Sequence, residues 1–292
     1  MNPRKKQLKK EAKYRGGNSV KNAFLSPKNH KDLILAFIVA ATGFLLYANT
    51  IGHNYVLDDF SVIKENFVVK QGLQCIPTIL KTSYRYGYWN DAGTLYRPLS
   101  LVMFAMEWHF FPDQPWVSHL INVLLYAFTG LILFRLLSQL LKDHHPFIPF
   151  AVSLLFIAHP VHTEVVANIK SRDEILCFLF VLLSAGKLLN FARTENKSSL
   201  FLSLIFFFLS FMSKESAIVY LAVFPFLLWF FTGMEWKKII YLSSAFIIPT
   251  GIYIMLRRGV LGSVSGAENV DVVDNLLAGA PDTLHQYATA IK

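Results

Sequence analysis

The sequence has few cysteines, few charged residues and no internal repeat. Cys75 and Cys177 are its 2 cysteines among 292 residues, one in a polar segment and one in a hydrophobic run, which argues against a disulfide framework. No heptads or low-complexity tracts occur beyond a basic N-terminal tail, so the pattern does not indicate a coiled coil. Charged residues make up 16% of the chain, well below the share of about 25% found in soluble domains.

Apolar residues are what the chain has in abundance. Hydrophobic residues account for 54% and aromatic residues for 15%, and the mean hydropathy is +0.42. This composition is typical of an integral membrane protein. The first apolar run is too long for a cleaved signal peptide, and no small-residue cleavage site follows it, so we interpret it as an uncleaved anchor.

The positive charge is concentrated before the first apolar run. The net charge is +9, and a basic tail beside a spanning helix usually fixes its orientation and contacts anionic lipid. The basic residues of this tail are Arg4, Lys5, Lys6, Lys9, Lys10, Lys13, Arg15, Lys21, Lys28 and Lys31. The rest of the chain offers no basic groove, so we expect the lipid bilayer and no nucleic acid among its partners.

Several apolar segments are candidates for spanning helices, because a bilayer core about 30 Å thick requires about 20 apolar residues. The 7 segments are 33–51, 117–137, 147–158, 175–189, 200–212, 217–231 and 239–256. The sequence therefore predicts an all-α, multi-pass integral membrane protein with about seven transmembrane helices.

The basic residues between these segments predict the orientation. If the N-terminus is cytoplasmic, each later cytoplasmic turn is basic, as the positive-inside rule requires. These turns hold Lys142, then Lys187, Arg193 and Lys197, and then Lys237 and Lys238. The segments on the outer side are then 52–116, 159–174 and 257–292.

This alternation holds only if residues 99–111 do not cross the bilayer. The segment has 13 residues and carries Glu107 and His109. We therefore predict that it is an interfacial or re-entrant helix inside the outer loop 52–116.

The predicted organisation has three parts. A basic cytoplasmic tail, 1–32, precedes a transmembrane module, 33–256, and residues 257–292 form an outer segment. This last segment ends partway through an amphipathic pattern without a helix cap. We expect the native protein to continue into further spans and a helical-repeat domain outside the membrane.

Two of the predicted outer segments, and the short turn between the fifth and sixth apolar segments on the same side, carry carboxylates close to apolar runs. The first contains HNYVLDDFSVIKEN, with Asp58 and Asp59; the second contains HPVHTEVVANIKSRDEIL; the third is MSKESA. The second and third segments supply His159, His162, Glu164, Lys170, Arg172, Asp173, Glu174, Lys214 and Glu215. Ionisable groups at membrane depth are costly and usually mark a functional site.

Each of these features also has a structural alternative. Asp58 and Asp59 could cap a short helix that begins at Phe60. Ser171 and Glu174 fit a capping box at the start of the fourth span. Lys214 and Glu215 could be snorkelling side chains or an ion pair with each other.

Two further features leave alternatives open. His159, His162 and Glu164 have the side-chain types of metal ligands, but their spacing matches no strong zinc signature. A divalent metal is therefore possible as a cofactor, and none is certain. The aromatic run SYRYGYWN, residues 83–90, could stack on a sugar ring or form an aromatic belt at the lipid headgroups.

An acidic pair after the first span, followed by LYRPLS, HPVHTEVVANIKSRDEIL and SKES, resembles the transmembrane-and-tetratricopeptide-repeat O-mannosyltransferases and their bacterial relatives. These proteins belong to the GT-C class of membrane glycosyltransferases. The resemblance covers roughly residues 33–290, and His-Pro-x-His-Thr-Glu is its most specific part. Two departures are that tetratricopeptide repeats and the later spans of the class are absent from this sequence.

The resemblance implies a polyprenyl-phosphate sugar donor and an acceptor hydroxyl on a protein or glycan, at the extracytoplasmic face of the bacterial inner membrane or the ER membrane. One carboxylate, Asp58 or Asp59, would take the acceptor's proton. Cations would stabilise the departing phosphate. We predict Glu164 and Asp173 as groups that orient the acceptor or sugar, and Arg172 and Lys214, together with either Arg97 or Arg257, as phosphate ligands. The wider predicted binding set also includes His162, Glu174 and Glu215.

Two other classes of function remain open. A transporter or flippase would use the same charges to line a substrate path, although transporters usually place them near the midplane in repeated halves. A non-catalytic membrane scaffold would tolerate replacement of the outer acids.

Overall fold

The computed structural model describes residues 30–89 and 93–262, and within these ranges its regular elements are helices. Residues 1–29, which are most of the predicted basic tail, and residues 263–292, which are most of the last predicted outer segment, lie outside the described residues. The α-helices are α1 (His30–Tyr47), α2 (Ile76–Ile79), α3 (Tyr86–Trp89), α4 (Pro98–Phe110), α5 (Pro115–Leu140), α6 (Phe147–Ile157), α7 (Thr163–Ala167), α8 (Arg172–Thr194), α9 (Lys197–Ser213), α10 (Tyr220–Thr232), α11 (Trp236–Ser244) and α12 (Ile247–Leu261).

The helices coincide with the apolar segments predicted from the sequence. In the described part of the chain, helices long and apolar enough to cross a membrane are His30–Gly52, Pro115–Leu140, Ile169–Thr194, Glu215–Thr232 and Trp236–Leu261. A sixth is formed if α6 and the following helix, which are bent by 47°, make one broken span. The remaining predicted segment is the apolar 17-residue helix α9. The prediction of an all-α polytopic membrane protein is confirmed, while the count of seven spans stays a prediction.

Contacts at the two ends of the bundle show that α5 and α8 run in the same direction. At the end that carries the segment 52–116, which we name the first-loop end, Asn122 near the start of α5 donates to the carbonyl of Ile169 just before α8 at 3.2 Å. At the opposite end, Arg193 near the end of α8 donates to the carbonyl of Gln139 near the end of α5 at 3.2 Å. Since α5 and α8 both start at the first-loop end, the chain between them must return to it through α6 and α7.

Helix α4 stays at the first-loop end over its whole length. Arg97, just before it, contacts Glu215, and Glu107 in its last turn accepts a hydrogen bond from Ser118 at the start of α5 at 2.5 Å. Its 13 residues span about 20 Å at about 1.5 Å per residue, short of the bilayer core of about 30 Å. The geometry agrees with the prediction that this segment does not cross the membrane.

The residues between α1 and α5 form a compact cap with its own apolar core. The core is built from Val62, Ile63, Val68, Val69, Cys75, Ile79, Tyr84, Leu101, Phe104 and Ala105, and Ile169 from the segment before α8 packs into it. Asn66 fixes the turn at residues 66–69, because its side-chain oxygen accepts hydrogen bonds from the backbone N–H groups of Val68 and Val69 at 3.1 and 3.0 Å. Gly87 packs directly against Asn66, where a Cβ atom would lie only 1.9 Å from that oxygen. The cap is therefore a folded unit that can position charged side chains.

The long helices pack through small and aromatic side chains. The hydroxyls of Ser184 in α8 and Ser203 in α9 each donate to the other's backbone carbonyl, at 2.9 and 2.8 Å. Gly130 in α5 leaves room for Ile157 at the end of α6, whose side chain would lie 2.7 Å from an added Cβ. Lipid tails are as apolar as the helix surfaces, so the hydrophobic effect does not drive membrane helices together. They associate instead through close packing at small residues and through interhelical hydrogen bonds.

Candidate functional site

The acidic pair follows a sharp turn at the foot of the cap. Leu57 has a positive φ of 46°, and a helical turn begins immediately after it. Neighbouring residues on a helical turn project about 100° apart, so the two carboxylates face different surroundings. The side chain of Asp58 is 46% exposed, whereas Asp59 is 0% exposed.

Asp59 joins two segments of the backbone. Its carboxylate accepts from the N–H of Val56 at 3.0 Å and from the N–H of Lys170 at 2.8 Å. Burial raises the pKa of Asp59, although these two N–H groups act to lower it. Its side chain makes no cap hydrogen bond to the helix that begins at Phe60. Asp59 therefore ties the first outer segment to the second.

Asp58 lies between two cations. The guanidinium of Arg85 is 2.8 Å from one carboxylate oxygen, and the ammonium of Lys170 is 4.0 Å from the other. Arg85 is itself stacked over the ring of Trp89 at 4.9 Å. Asp58 is thus fixed in place while part of its surface stays open to a ligand.

Lys170 also connects Asp58 to a buried carboxylate. Its ammonium lies 3.9 Å from Asp173, which is 0% exposed, and Arg97 donates to the same carboxylate at 2.7 Å. Arg97 also grips Glu215 with two parallel hydrogen bonds of 2.9 and 2.5 Å. Burial acts to lower the pKa of Arg97, but the bonds to Glu215 and the charge of Asp173 outweigh it and raise that pKa.

These contacts make one continuous set of charges, which we name the charge network. Its members are Asp58, Arg85, Arg97, Lys170, Asp173 and Glu215. They come from the cap, from the start of α8 and from the segment after α9. Beside it, Lys214 pairs with Glu174. The alternative that Lys214 and Glu215 pair with each other is wrong, because each has a different partner.

Arg172 lies in the protein interior. It is 0% exposed and is paired with Glu107, with further hydrogen bonds to Asn122 and Ser118. A guanidinium in this position cannot meet a ligand at the surface, so we correct its predicted role as a phosphate ligand and place it in the scaffold beneath the network. The predicted capping box also needs correction, because the side chain of Ser171 makes no cap hydrogen bond.

His162 and Glu164 belong to a neighbouring part of the same end. The ring of His162 packs against Phe156 at 4.5 Å between centroids, and Glu164 is exposed in the first turn of α7. His159 begins this segment by accepting from the N–H of Val161 at 3.2 Å. Neither His162 nor Glu164 joins the ion pairs described above. Across residues 30–89 and 93–262, no three histidine, cysteine or acidic side chains are grouped to hold a metal.

Three functional candidates of the structure are not indicated by the sequence pattern. Arg85 lies within an aromatic run, and Lys170 lies in the second outer segment without a motif that gives it a role. Glu107 lies in a segment whose charges indicate only that it does not span the membrane. A basic residue within a tyrosine- and tryptophan-rich run is the one signal that could have identified Arg85.

Part of the chain is similar in sequence to proteins named protein O-mannosyl-transferases. The chain is 34% identical over 162 residues to protein O-mannosyl-transferase TMTC2 of Mus musculus, which is 52% of this chain and 18% of that protein. It is 37% identical over 163 residues to protein O-mannosyl-transferase tmtc2 of Xenopus laevis, with the same 52% and 18% coverage. Protein O-mannosyl-transferase TMTC4 of Mus musculus is 30% identical over 212 residues, 64% of this chain and 28% of that protein.

The matched region is therefore about half of this chain, and the chain spans about a fifth of the length of its TMTC2 relatives. No family model matches the chain, and no solved structure matches it. The likeness to bacterial relatives stays a prediction. The resemblance predicted from the acidic pair and the His-Pro-x-His-Thr-Glu segment is confirmed at the level of the family: this chain is a homologue of the transmembrane-and-tetratricopeptide-repeat O-mannosyltransferases over about half of its length.

Proposed function

We propose that the full-length protein transfers a sugar, with mannose as the first candidate, from a polyprenyl-phosphate donor to an acceptor hydroxyl on the extracytoplasmic side. The observation that carries this proposal is the placement of Asp58. It is a partly exposed carboxylate held between Arg85 and Lys170 where a bundle of apolar helices ends. The names of the relatives, protein O-mannosyl-transferases, support the same reaction class.

In the proposed step, the oxygen of the acceptor hydroxyl attacks the anomeric carbon while its proton passes to Asp58. The bond between that carbon and the phosphate oxygen breaks, and its electron pair leaves with polyprenyl phosphate. The configuration at the anomeric carbon is inverted. We assign the base to Asp58 rather than Asp59, because both oxygens of Asp59 already accept backbone hydrogen bonds in the interior.

Two lysines suit the phosphate that leaves: Lys170, which lies next to Asp58, and Lys214, which is paired with Glu174. The side chains of Lys170 and Lys214 are partly accessible. The ammonium of Lys170 lies near Asp58 and Asp173, and that of Lys214 contacts Glu174. Ammonium groups are point charges that can turn toward a new anion, and they become more effective when water is excluded. Arg97 is held by two carboxylates and serves to keep Asp173 and Glu215 in place.

The proposal needs the first-loop end of the bundle to face the extracytoplasmic side. We expect a cysteine introduced at exposed Glu164 to react with a membrane-impermeant thiol reagent added to the outer side of intact cells or inverted organelle vesicles. A cysteine at Lys142, at the opposite end, is the matched control and should react only from the cytoplasmic side. Labelling of position 164 from the cytoplasmic side would refute both the orientation and the proposed site.

A transfer assay separates the proposal from a transporter and from a scaffold. We expect purified full-length protein in liposomes to move radiolabelled mannose from mannosyl-phospho-polyprenol to an acceptor protein. A flippase would carry the lipid-linked sugar across the bilayer with its glycosidic bond intact, and a scaffold would do neither. The charges lie at helix ends in the described part of the chain, which favours chemistry at the surface over a path through the midplane.

A further inference from the structure

Arg172 makes an unusually complete set of contacts for a buried cation. Its Nε donates to the side-chain oxygen of Asn122 at 2.7 Å, its two terminal nitrogens pair with Glu107, and one of them also donates to the carbonyl of Ser118 at 2.9 Å. The guanidinium lies over the face of Phe104 at 4.5 Å from the ring centroid. One side chain at the start of α8 thus connects the end of α4 with the start of α5.

The partners of Arg172 also hold the backbone that precedes it. Asn122 donates to the carbonyls of Asn168 and Ile169 at 3.1 and 3.2 Å. From the other side, Asp59 accepts from the N–H of Lys170 at 2.8 Å. The segment 168–173 is therefore clamped from two sides.

We infer that the buried Arg172–Glu107 pair is a positioning device, which fixes the segment 168–173 so that Lys170 and Asp173 meet Asp58 and Arg97. The inference rests on the proposed function, because it gives this pair a role in sugar transfer. Arg172 and Asp173 are neighbours at a helix start, so a rotation there that released Arg172 would also turn Asp173 away from Arg97. Arg172 does not itself touch the reacting atoms.

Stability alone does not account for such a pair. Replacing both members of a buried ion pair by apolar residues is often neutral or stabilising, whereas removing one member leaves a buried charge. The double variant Glu107→Leu/Arg172→Met can therefore keep the fold while it removes the clamp. This separates a positioning role from a purely structural one.

We expect the double variant in liposomes to stay folded but to melt below the parental temperature, because Ser118 and Asn122 lose buried hydrogen-bond partners. Its kcat should be reduced by on the order of 10²-fold, with KM changed much less, since a 1 Å misplacement at a site can cost that much. The matched control is Lys64→Met/Asp113→Asn, which removes an exposed ion pair of the cap and should leave kcat unchanged. Arg172→Lys retains the charge but cannot reach Glu107, Asn122 and Ser118 together, so it should also lose kcat.

A second readout does not depend on activity. We expect faster amide hydrogen exchange in peptides covering 165–175 in the double variant and in Arg172→Lys, compared with the parent and with the control pair. Parental kcat, or parental exchange in this segment, in a folded variant would overturn the inference. If the parent transfers no sugar, the proposed function fails, and the exchange measurement still decides whether the pair positions the segment.

Discussion

Asp58→Asn should lower the rate of sugar transfer by about 10²–10⁴-fold, the usual contribution of a general base. Asn has nearly the same shape as Asp but cannot accept the acceptor's proton. Since the side chain of Asp58 is 46% exposed, the exchange should leave expression and membrane insertion intact. The measurement is turnover by the purified full-length protein, with folding checked by thermal melting in detergent.

Asp59→Asn is the control that separates a catalytic role of the acidic pair from a structural one. An Asn in this position would turn an NH₂ group toward a backbone N–H, of Val56 or Lys170, and leave that buried donor without an acceptor. Such a loss costs about 1–3 kcal/mol, so Asp59→Asn should lower the melting temperature more than Asp58→Asn does. If Asp58→Asn transfers sugar at the parental rate, Asp58 is not the base. If sugar transfer is lost only in Asp59→Asn, and that protein is as stable as the parent, Asp59 is the base and Asp58 is not.

The positions of the long helices could be predicted from the sequence, because an apolar run of span length is a signal that runs along the chain. Segment 99–111 illustrates the same point. Its length and its charges already argued against a crossing, and the structure holds both its ends at one end of the bundle. The bend of 47° after α6 was not visible in the sequence, because it depends on how the chain returns to α8.

The site was predictable in its residue types but not in its pairings. Their position beside apolar runs indicates Asp58, Asp173 and Glu215 as candidates from the sequence. In the structure, Arg85, Lys170 and Arg97 form the ion pairs of these three carboxylates. Which of two adjacent charged residues faces inward depends on the direction of a single turn. That direction leaves Asp58 part-exposed and Asp59 buried. Arg172 and Asp173 are both buried, and there the turn gives the two side chains different partners, Glu107 and Arg97.

Arg97→Met should be the most destabilising change within the charge network. Arg97 is buried, and among the described residues its loss would leave the fully buried Asp173 with the ammonium of Lys170, at 3.9 Å, as its one cationic partner. Breaking a buried ion pair by removing one member costs about 3–5 kcal/mol, because the other charge stays uncompensated. We expect a clearly lower melting temperature in detergent and faster limited proteolysis.

The cause can be tested by removing the stranded charge as well. In Arg97→Met/Asp173→Asn, the buried carboxylate is gone. The part-exposed Glu215 loses Arg97, and Lys170 loses Asp173 but keeps Asp58. The double variant should therefore recover part of the stability that Arg97→Met loses, while Arg97→Lys, which keeps a charge but not the two parallel bonds to Glu215, should lie between parent and Arg97→Met. A double variant less stable than Arg97→Met would mean that Asp173 stabilises the fold through contacts other than Arg97. An Arg97→Met protein that melts like the parent would show that the network is not held together by this guanidinium.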